Sequence, residues 1–187
     1  MNLSTIIAEL RAVATSYEGR VAGSAEFQIL LEAANLTVPA AYVVPLADDT
    51  QEQESLNGYS QLVRDVFGVV VVLSNKPDER GQAAITSVHA VRAELWATLL
   101  GLMVAGDHGD YGPITYDGGV LLHRDRARLY YQFEFWAEYR IDASDTRQGA
   151  DLGAAPAFEE LDVNLTGSVP KSSDDPDKPD QRIHPPQ

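Results

Sequence analysis

The feature that most constrains the fold is a long run of alternating residues at 127–141, ARLYYQFEFWAEYRI. Successive side chains of a β-strand point to opposite faces of the sheet. The residues that would share a core face are Leu129, Tyr131, Phe133, Phe135, Ala137, Tyr139 and Ile141. The residues between them are aromatic, polar or charged, so the other face is predicted to be amphipathic. A strand of this length needs neighbouring strands on its flanks and an apolar layer on its core face.

Two neighbouring strands are indicated by similar patterns. The stretch 61–74 is continuously apolar from Val66 to Leu73, which is typical of a central strand covered on both faces. The stretch 114–123 precedes 127–141 by only a few residues. A connection this short favours antiparallel pairing of the two strands.

A further strand and three helices complete the predicted elements. The segment AAYVVPLADD has strand-forming residues, and its Pro45 predicts a sheet edge or a strand end. Apolar residues at helical spacing predict helices over 3–16, 24–34 and 82–103. The longest of these helices is expected to cover one face of the sheet.

These patterns predict an α+β domain over residues 1–142, with a mostly antiparallel sheet of about four strands and helices packed on one face. Composition changes after this point, because residues 143–187 hold six of the ten prolines. The sequence from Pro170 onward combines Pro, Asp, Ser and Lys, and it buries too little apolar surface to offset the entropy lost on ordering. We therefore expect residues 143–187 to be an acidic C-terminal arm, partly extended or disordered in isolation.

Charge and residue usage exclude several classes of function. The 187 residues include 14 basic and 28 acidic side chains, which gives a net charge of −14. Such a surface repels nucleic-acid phosphates and anionic lipid. The sequence contains no cysteine, which excludes disulfides and thiolate chemistry. The pattern of a signal peptide or a membrane span is missing, so we expect a protein made in the cytoplasm that does not contact a membrane.

The sequence contains no motif for nucleotide binding or for a serine nucleophile. Its densest polar cluster is Asp107, His108 and Asp110, in the segment GDHGDYGP. These groups suit a metal ion or a general base, but the glycines around them favour a simple loop. We predict no enzyme, no metal and no cofactor. A small metal-dependent hydrolase using these three residues remains an alternative.

A basic tip lies between the two long strands, where three arginines surround one aspartate in a chain with few positive charges. Acidic residues follow the strand that contains Pro45. Opposite patches on one molecule favour head-to-tail contacts, and such contacts make rings when they close. A solvated turn is the alternative. The residues predicted for a subunit or partner interface are Arg124, Asp125, Arg126 and Arg128 at the tip, Asp48 and Asp49 as their partners, and Trp136 as an apolar anchor.

The order of these elements, together with several short phrases, resembles a known family. The phrases are PAAYVVPL at 39–46, VVVLS at the end of 61–74, LWATLLGL in the long helix, and DGGVLLHRDRARLYYQFEF across the strand pair. Over about residues 3–141, the sequence resembles the tail terminator (tail completion) proteins of long-tailed bacteriophages and related prophages.

The resemblance implies a non-enzymatic structural protein of the virion. It implies a hexameric ring at the head-proximal end of the tail tube, which stops tube polymerisation and joins the tail to the head or neck. The implied partners are the tail tube protein and a head-completion or neck protein, and a sheath protein is a further candidate. DNA would pass through the lumen without specific binding, with which the acidic charge is compatible. The arm at 143–187 is not expected in the minimal family fold. An adaptor protein that binds a partner through this arm therefore remains an alternative function.

Overall fold

The computed structural model of the chain describes residues 1–24, 37–56, 58–75, 82–106, 109–124 and 127–155. The elements, in chain order, are α1 (Leu3–Val13), a 3-10 helix (Thr15–Tyr17), β1 (Val21–Gly23), β2 (Ala40–Thr50), β3 (Ser60–Ser74), α2 (Gln82–Leu99), β4 (Met103–Gly106), β5 (Gly109–Pro113), β6 (Thr115–Arg124), β7 (Arg128–Asp142), a second 3-10 helix (Ala143–Asp145) and α3 (Arg147–Gly153). The helix predicted over 24–34 lies outside the described residues, except for Ser24. None of the helices described is long and apolar enough to cross a membrane.

The main sheet has five strands in the order β1-β2-β3-β7-β6. The predicted α+β class is confirmed, with one strand more than expected. β3 lies at the centre and pairs antiparallel with β2 and β7. The additional strand is β1, which pairs parallel with β2 through three residues, Val21–Gly23. Three residues are too few to show the period of a strand, so the pattern of the sequence does not reveal it.

β2 continues through Pro45, although a strand end was one of the two predictions for this residue. The pairing with β1 reaches only to Val43, so among the described strands the rest of β2 is an edge, which was the other prediction for this residue. A bulge between Pro45 and Ala47 shifts the register against β3. Proline is tolerated at edges and bulges, and the strand therefore runs on to Thr50.

Helices α1 and α2 pack on one face of the sheet and build the main core. Ile6 and Leu10 of α1 and Leu95 and Leu99 of α2 are completely buried. Phe135 of β7 belongs to the same cluster and is also completely buried. The predicted core face of β7 is confirmed from Leu129 to Tyr139.

The opposite face of the sheet carries a smaller apolar cluster at the end where β2 begins. Tyr42, Val70, Val72 and Tyr130 are each at most 6% exposed in this cluster. β3 is therefore buried on both faces over 67–73, as its continuous apolar run predicted.

Helix α2 is shorter than its apolar spacing predicted, and the loop predicted after it is a hairpin. Gly101 has a φ of +80°, in the left-handed conformation that terminates many helices. The chain then forms β4 and β5, which pair antiparallel. Val104 and Tyr111 in this hairpin are buried. The prediction of a loop was wrong because burial of these two side chains outweighs the turn preference of the glycines and aspartates around them.

A short helical segment follows β7. Hydrogen bonds from the Ser144 hydroxyl and the Ser144 N–H to Asp142 Oδ1, at 2.6 and 2.7 Å, lower the pKa of the Asp142 carboxyl.

The residues Met1–Ala154 form one compact unit, and of the second unit, Ala155–Gln187, only Ala155 is described. The first part of the predicted arm is thus helical, and the remainder of the arm lies outside the described residues.

Tyr17 is a buried residue whose hydroxyl is not satisfied. Its side chain is completely buried, and within the described ranges its hydroxyl has no hydrogen-bond partner. We expect Tyr17→Phe to leave the free energy of unfolding at pH 7 unchanged or to raise it by up to about 1 kcal/mol, because it removes an unpaired buried hydroxyl.

The same substitution should alter the response to alkaline pH. Burial, and then the charge of Glu94, raise the pKa of Tyr17, so the folded state keeps this proton above pH 10 while the unfolded state loses it. Stability therefore falls as the pH rises above about 10. Between pH 7 and pH 11, Tyr17→Phe should lose about 1.4 kcal/mol less than the wild type in urea unfolding. Equal losses would contradict this assignment.

Candidate interaction surfaces

The basic tip lies at one end of the sheet. Arg124 ends β6 and is exposed, and Arg128 begins β7 and is half-buried. Arg128 Nη1 lies 3.5 Å from the hydroxyl of Tyr130. Asp125 and Arg126 lie outside the described residues, so only two of the four residues predicted for the tip can be located.

Asp48 and Asp49 lie towards the other end of the sheet, and both are exposed. Asp48 is level with Asp65 of β3 and, through it, with Ala137 of β7. Arg128 and Ala137 are nine positions apart in β7, which is about 30 Å along a strand. Arg124 and Arg128 therefore cannot pair with Asp48 or Asp49 within one copy, and a contact between them requires two copies.

Asp48 belongs to a polar network on the helix-covered side of the sheet. It lies opposite Asp65, and two carboxylates in that position repel each other. The Met1 ammonium group lies 2.6 Å from Asp65 Oδ2 and donates to the Tyr111 hydroxyl at 2.6 Å. The same hydroxyl donates to Asp65 at 2.6 Å. The ammonium thus compensates the repulsion at this position.

The protonation of Tyr111 reflects this network. Burial raises its pKa above the usual value for a tyrosine, and the hydrogen bond to the negative Asp65 raises it further. Its ring packs against that of Tyr139 at a centroid distance of 4.7 Å, and burial also raises the pKa of Tyr139. Both hydroxyls therefore stay protonated at neutral pH, and the network acts as a structural connection between the hairpin and the sheet.

Asp49 points to the opposite side of the sheet, where Trp136 also lies. Arg64 is level with Asp49 of β2 and with Glu138 of β7. Its guanidinium lies 4.1 Å from the centre of the Trp136 ring and 3.2 Å from Glu138 Oε1. A cleft of about 180 Å³ is lined by Asp49, Thr50, Gln51, Leu62, Arg64 and Glu138. The fold thus brings Asp49 and Trp136 into one outer patch, in which Arg64 lies between them.

β6 forms an edge of the sheet, and sequence reasoning did not identify it as a surface. Among the described strands it pairs only with β7. Val120, Leu121 and Leu122 are 46%, 49% and 45% exposed, respectively. Three consecutive apolar residues are also typical of a buried strand. The sequence alone therefore does not distinguish an exposed edge strand from a buried one, and the order of strands in the sheet is needed.

The predicted polar cluster is only partly described. Asp107 and His108 lie outside the described residues, and Asp110 lies in β5, where its backbone is level with Ala105 of β4. In the described ranges, no group of three or more His, Asp or Glu side chains is arranged to hold a metal ion.

The comparison with known proteins identifies the family of this chain. No curated protein sequence matches the chain significantly. The model of the phage tail terminator protein family matches residues 1–147, which include the five-strand sheet, the hairpin and both core helices. Because this match covers well over half of the 187 residues, the chain belongs to the phage tail terminator family.

Proposed function

We propose that this chain caps the head-proximal end of a phage tail tube as a ring, stops tube polymerisation and joins the tail to the head or neck. The observation that carries the proposal is the family match over residues 1–147. The family is a structural, non-enzymatic kind of protein, so the proposed mechanism is steric. A ring of copies, six in the simplest case, covers the tube surface on which the next ring of tube subunits would assemble.

The arrangement of charge supports contacts between copies or with partners. The basic tip and the acidic end of β2 lie at opposite ends of the sheet, about 30 Å apart. In a ring, each copy can contact one neighbour through its basic tip and the other neighbour through the acidic end of β2. The proposed partners are the tail tube protein on one side of the ring and a neck or head-completion protein on the other. A sheath protein is a further candidate.

The proposed passage of DNA is compatible with the charge of the chain. Each copy carries a net charge of −14. Negative charge along a lumen repels phosphate and disfavours a stable complex with DNA. Such a ring would let the genome pass without holding it.

The proposal is tested by adding the purified protein to polymerising tail tube protein and measuring tube lengths by electron microscopy. Wild-type protein should shorten the tubes and be found at one end of them. Trp136→Ala should weaken capping if the outer patch contacts the tube, because it removes a large aromatic anchor. Tubes of the same length with and without the wild-type protein would contradict the proposal.

Helix α2, which packs on the opposite face of the sheet from Trp136, offers a matched control. Trp96 on α2 is also partly exposed, and the Arg92 guanidinium lies 4.9 Å from the centre of its ring. Trp96→Ala therefore removes the same kind of side chain and the same kind of contact. We expect Trp96→Ala to cap tubes as well as the wild type does. If both substitutions weakened capping equally, Trp136 would not be a specific part of the contact with the tube.

A further inference from the structure

The cleft in the outer patch has a carboxylate on each of two sides. Asp49 lies on β2 and Glu138 lies on β7, while β3 runs between these strands and contributes Leu62 and Arg64. Two strand spacings, about 10 Å, separate the backbones of β2 and β7. The cleft therefore offers carboxylate oxygens on both sides and apolar contact with Leu62 between them.

One of these two carboxylates lacks a cation. Glu138 pairs with Arg64 at 3.2 Å. Two positions further along β7, Arg140 pairs with Glu54 at 2.6 Å. Asp49 is exposed, and within the described ranges it forms no ion pair. The cleft and the adjoining pair therefore carry one negative charge more than they carry positive charges.

Arg124 at the basic tip is a cation without a partner of its own. It is exposed, and within the described ranges it forms no ion pair. The other described arginines each contact a carboxylate, a carbonyl, a hydroxyl or an aromatic ring: Arg11, Arg20, Arg64, Arg92, Arg128, Arg140 and Arg147. The described part of the chain thus presents one free guanidinium and, in the cleft, a carboxylate that lacks a cation.

These two groups lie at diagonal corners of the sheet. Arg124 on β6 is level with Leu129 of β7, and Asp49 on β2 is level, through β3, with Glu138 of β7. Leu129 and Glu138 are nine positions apart, which is about 30 Å along the strand, and β2 lies three strand spacings, about 14 Å, from β6. The diagonal is therefore about 33 Å, and only two different copies can bring the groups together.

We propose that Arg124 of one copy docks in the outer-patch cleft of the next copy, with its guanidinium between Asp49 and Glu138. A guanidinium suits this cleft because its fork of donors can bond two carboxylates, while its aliphatic stem packs on apolar surface. This contact rests on the proposed ring and identifies how neighbouring copies meet. The acidic partner is Asp49 and not Asp48, because Asp48 lies on the helix-covered side with Asp65.

The contact also determines how the strands are oriented in the ring. Each copy has one guanidinium to insert and one cleft to fill, so the contact is head-to-tail and continues until the ring closes. Rotation about the ring axis leaves height along the axis unchanged, so Arg124 and Asp49 of one copy lie at the same height. The diagonal of about 33 Å then lies in the plane of the ring, and the strands run around the ring rather than along its axis.

Charge reversal in the full chain tests the contact, and both positions are exposed, so the core is not disturbed. Asp49→Arg and Arg124→Asp each place like charges together. Each variant alone should therefore associate at least about tenfold more weakly than the wild type in analytical ultracentrifugation at low salt. An equimolar mixture of the two variants should return to within about threefold of the wild type. In the mixture the copies alternate, so the two reversed groups meet at one contact and the two unchanged groups meet at the next.

Two exposed positions provide matched controls. Asp48→Arg makes the same change one residue away on the opposite face of the sheet. It alters the net charge of each copy by the same amount as Asp49→Arg, so it isolates the effect of position. Arg147→Asp makes the reverse change on α3, where the side chain is 95% exposed. Both control variants should associate as the wild type does.

Three results would overturn the proposed contact. The first is a mixture that associates no better than either variant alone, which a cleft that instead holds a basic side chain of the tube protein would give. The second is an Asp48→Arg variant as weak as Asp49→Arg. The third is a wild type that stays at one or two copies up to about 100 µM, where a contact with a dissociation constant near 10⁻⁴ M would be substantially formed.

The tube-length assay separates these results from a failure of the capping role. If the wild type shortens tubes but the mixture does not associate, the contact between Arg124 and the cleft is wrong and capping stands. If the mixture restores association but the wild type leaves tube length unchanged, the contact stands and capping is wrong.

Discussion

Phe135→Ala should lower the free energy of unfolding by about 4 kcal/mol, as expected when a fully buried aromatic side chain in a core is truncated. The Phe135 side chain is completely buried. Its ring stacks on Phe67 at a centroid distance of 5.6 Å and meets the Tyr116 ring at 5.4 Å. Removal of the ring leaves a cavity between the sheet and the helices, because a packed core closes around a lost side chain only in part.

Trp136→Ala is the matched control for this prediction, since it truncates a larger aromatic ring one position along the same strand. Trp136 lies on the other face of β7, is only partly buried, and stacks with the Arg64 guanidinium. We expect a loss of about 1–2 kcal/mol. Urea unfolding of the two variants measures both values, and a Trp136→Ala variant as unstable as Phe135→Ala would contradict the assigned faces.

Asp65→Asn should lower the free energy of unfolding by about 3 kcal/mol. The Met1 ammonium group forms an ion pair with the Asp65 carboxylate, whose side chain is 16% exposed. Asp65→Asn takes the charged partner from the ammonium group, and because the Asp65 side chain is mostly buried the loss exceeds the value of a fully exposed pair. The Tyr111 hydroxyl also loses its charged acceptor.

Asp49→Asn is the control for Asp65→Asn, because it makes the same chemical change at an exposed position on the neighbouring strand. Its expected loss is within about 0.5 kcal/mol. Thermal or urea unfolding at pH 7 compares the two variants. Similar losses would mean that the network around Asp65 does not stabilise the fold.

The sequence predicts those elements whose pattern is long and local. The alternation at 127–141 identified the core face of β7, and the apolar run after Val66 identified β3 as the central strand. The sequence does not predict β1, because a strand of three residues is too short to show an alternating pattern. The sequence does not predict the β4–β5 hairpin, because its glycines and aspartates are typical of turns. The hairpin is stabilised by the burial of Val104 and Tyr111, which depends on contacts distant in sequence.

The candidate surfaces were harder to predict than the fold. Asp48 and Asp49 are adjacent in sequence, which suggests a single acidic patch, but neighbours in a strand point to opposite faces. One therefore lies opposite Asp65 and the other level with Arg64. The position of β6 at the edge of the described sheet follows from the order of the strands, and strand order is a property of long-range pairing that local patterns do not contain.

The length of tails in particles assembled without this protein tests the capping role most directly. Electron microscopy should show tails of variable, excessive length that lack heads, and wild-type protein supplied separately should restore a single length and head attachment. Tails of normal, uniform length joined to heads in the absence of the protein would contradict the account.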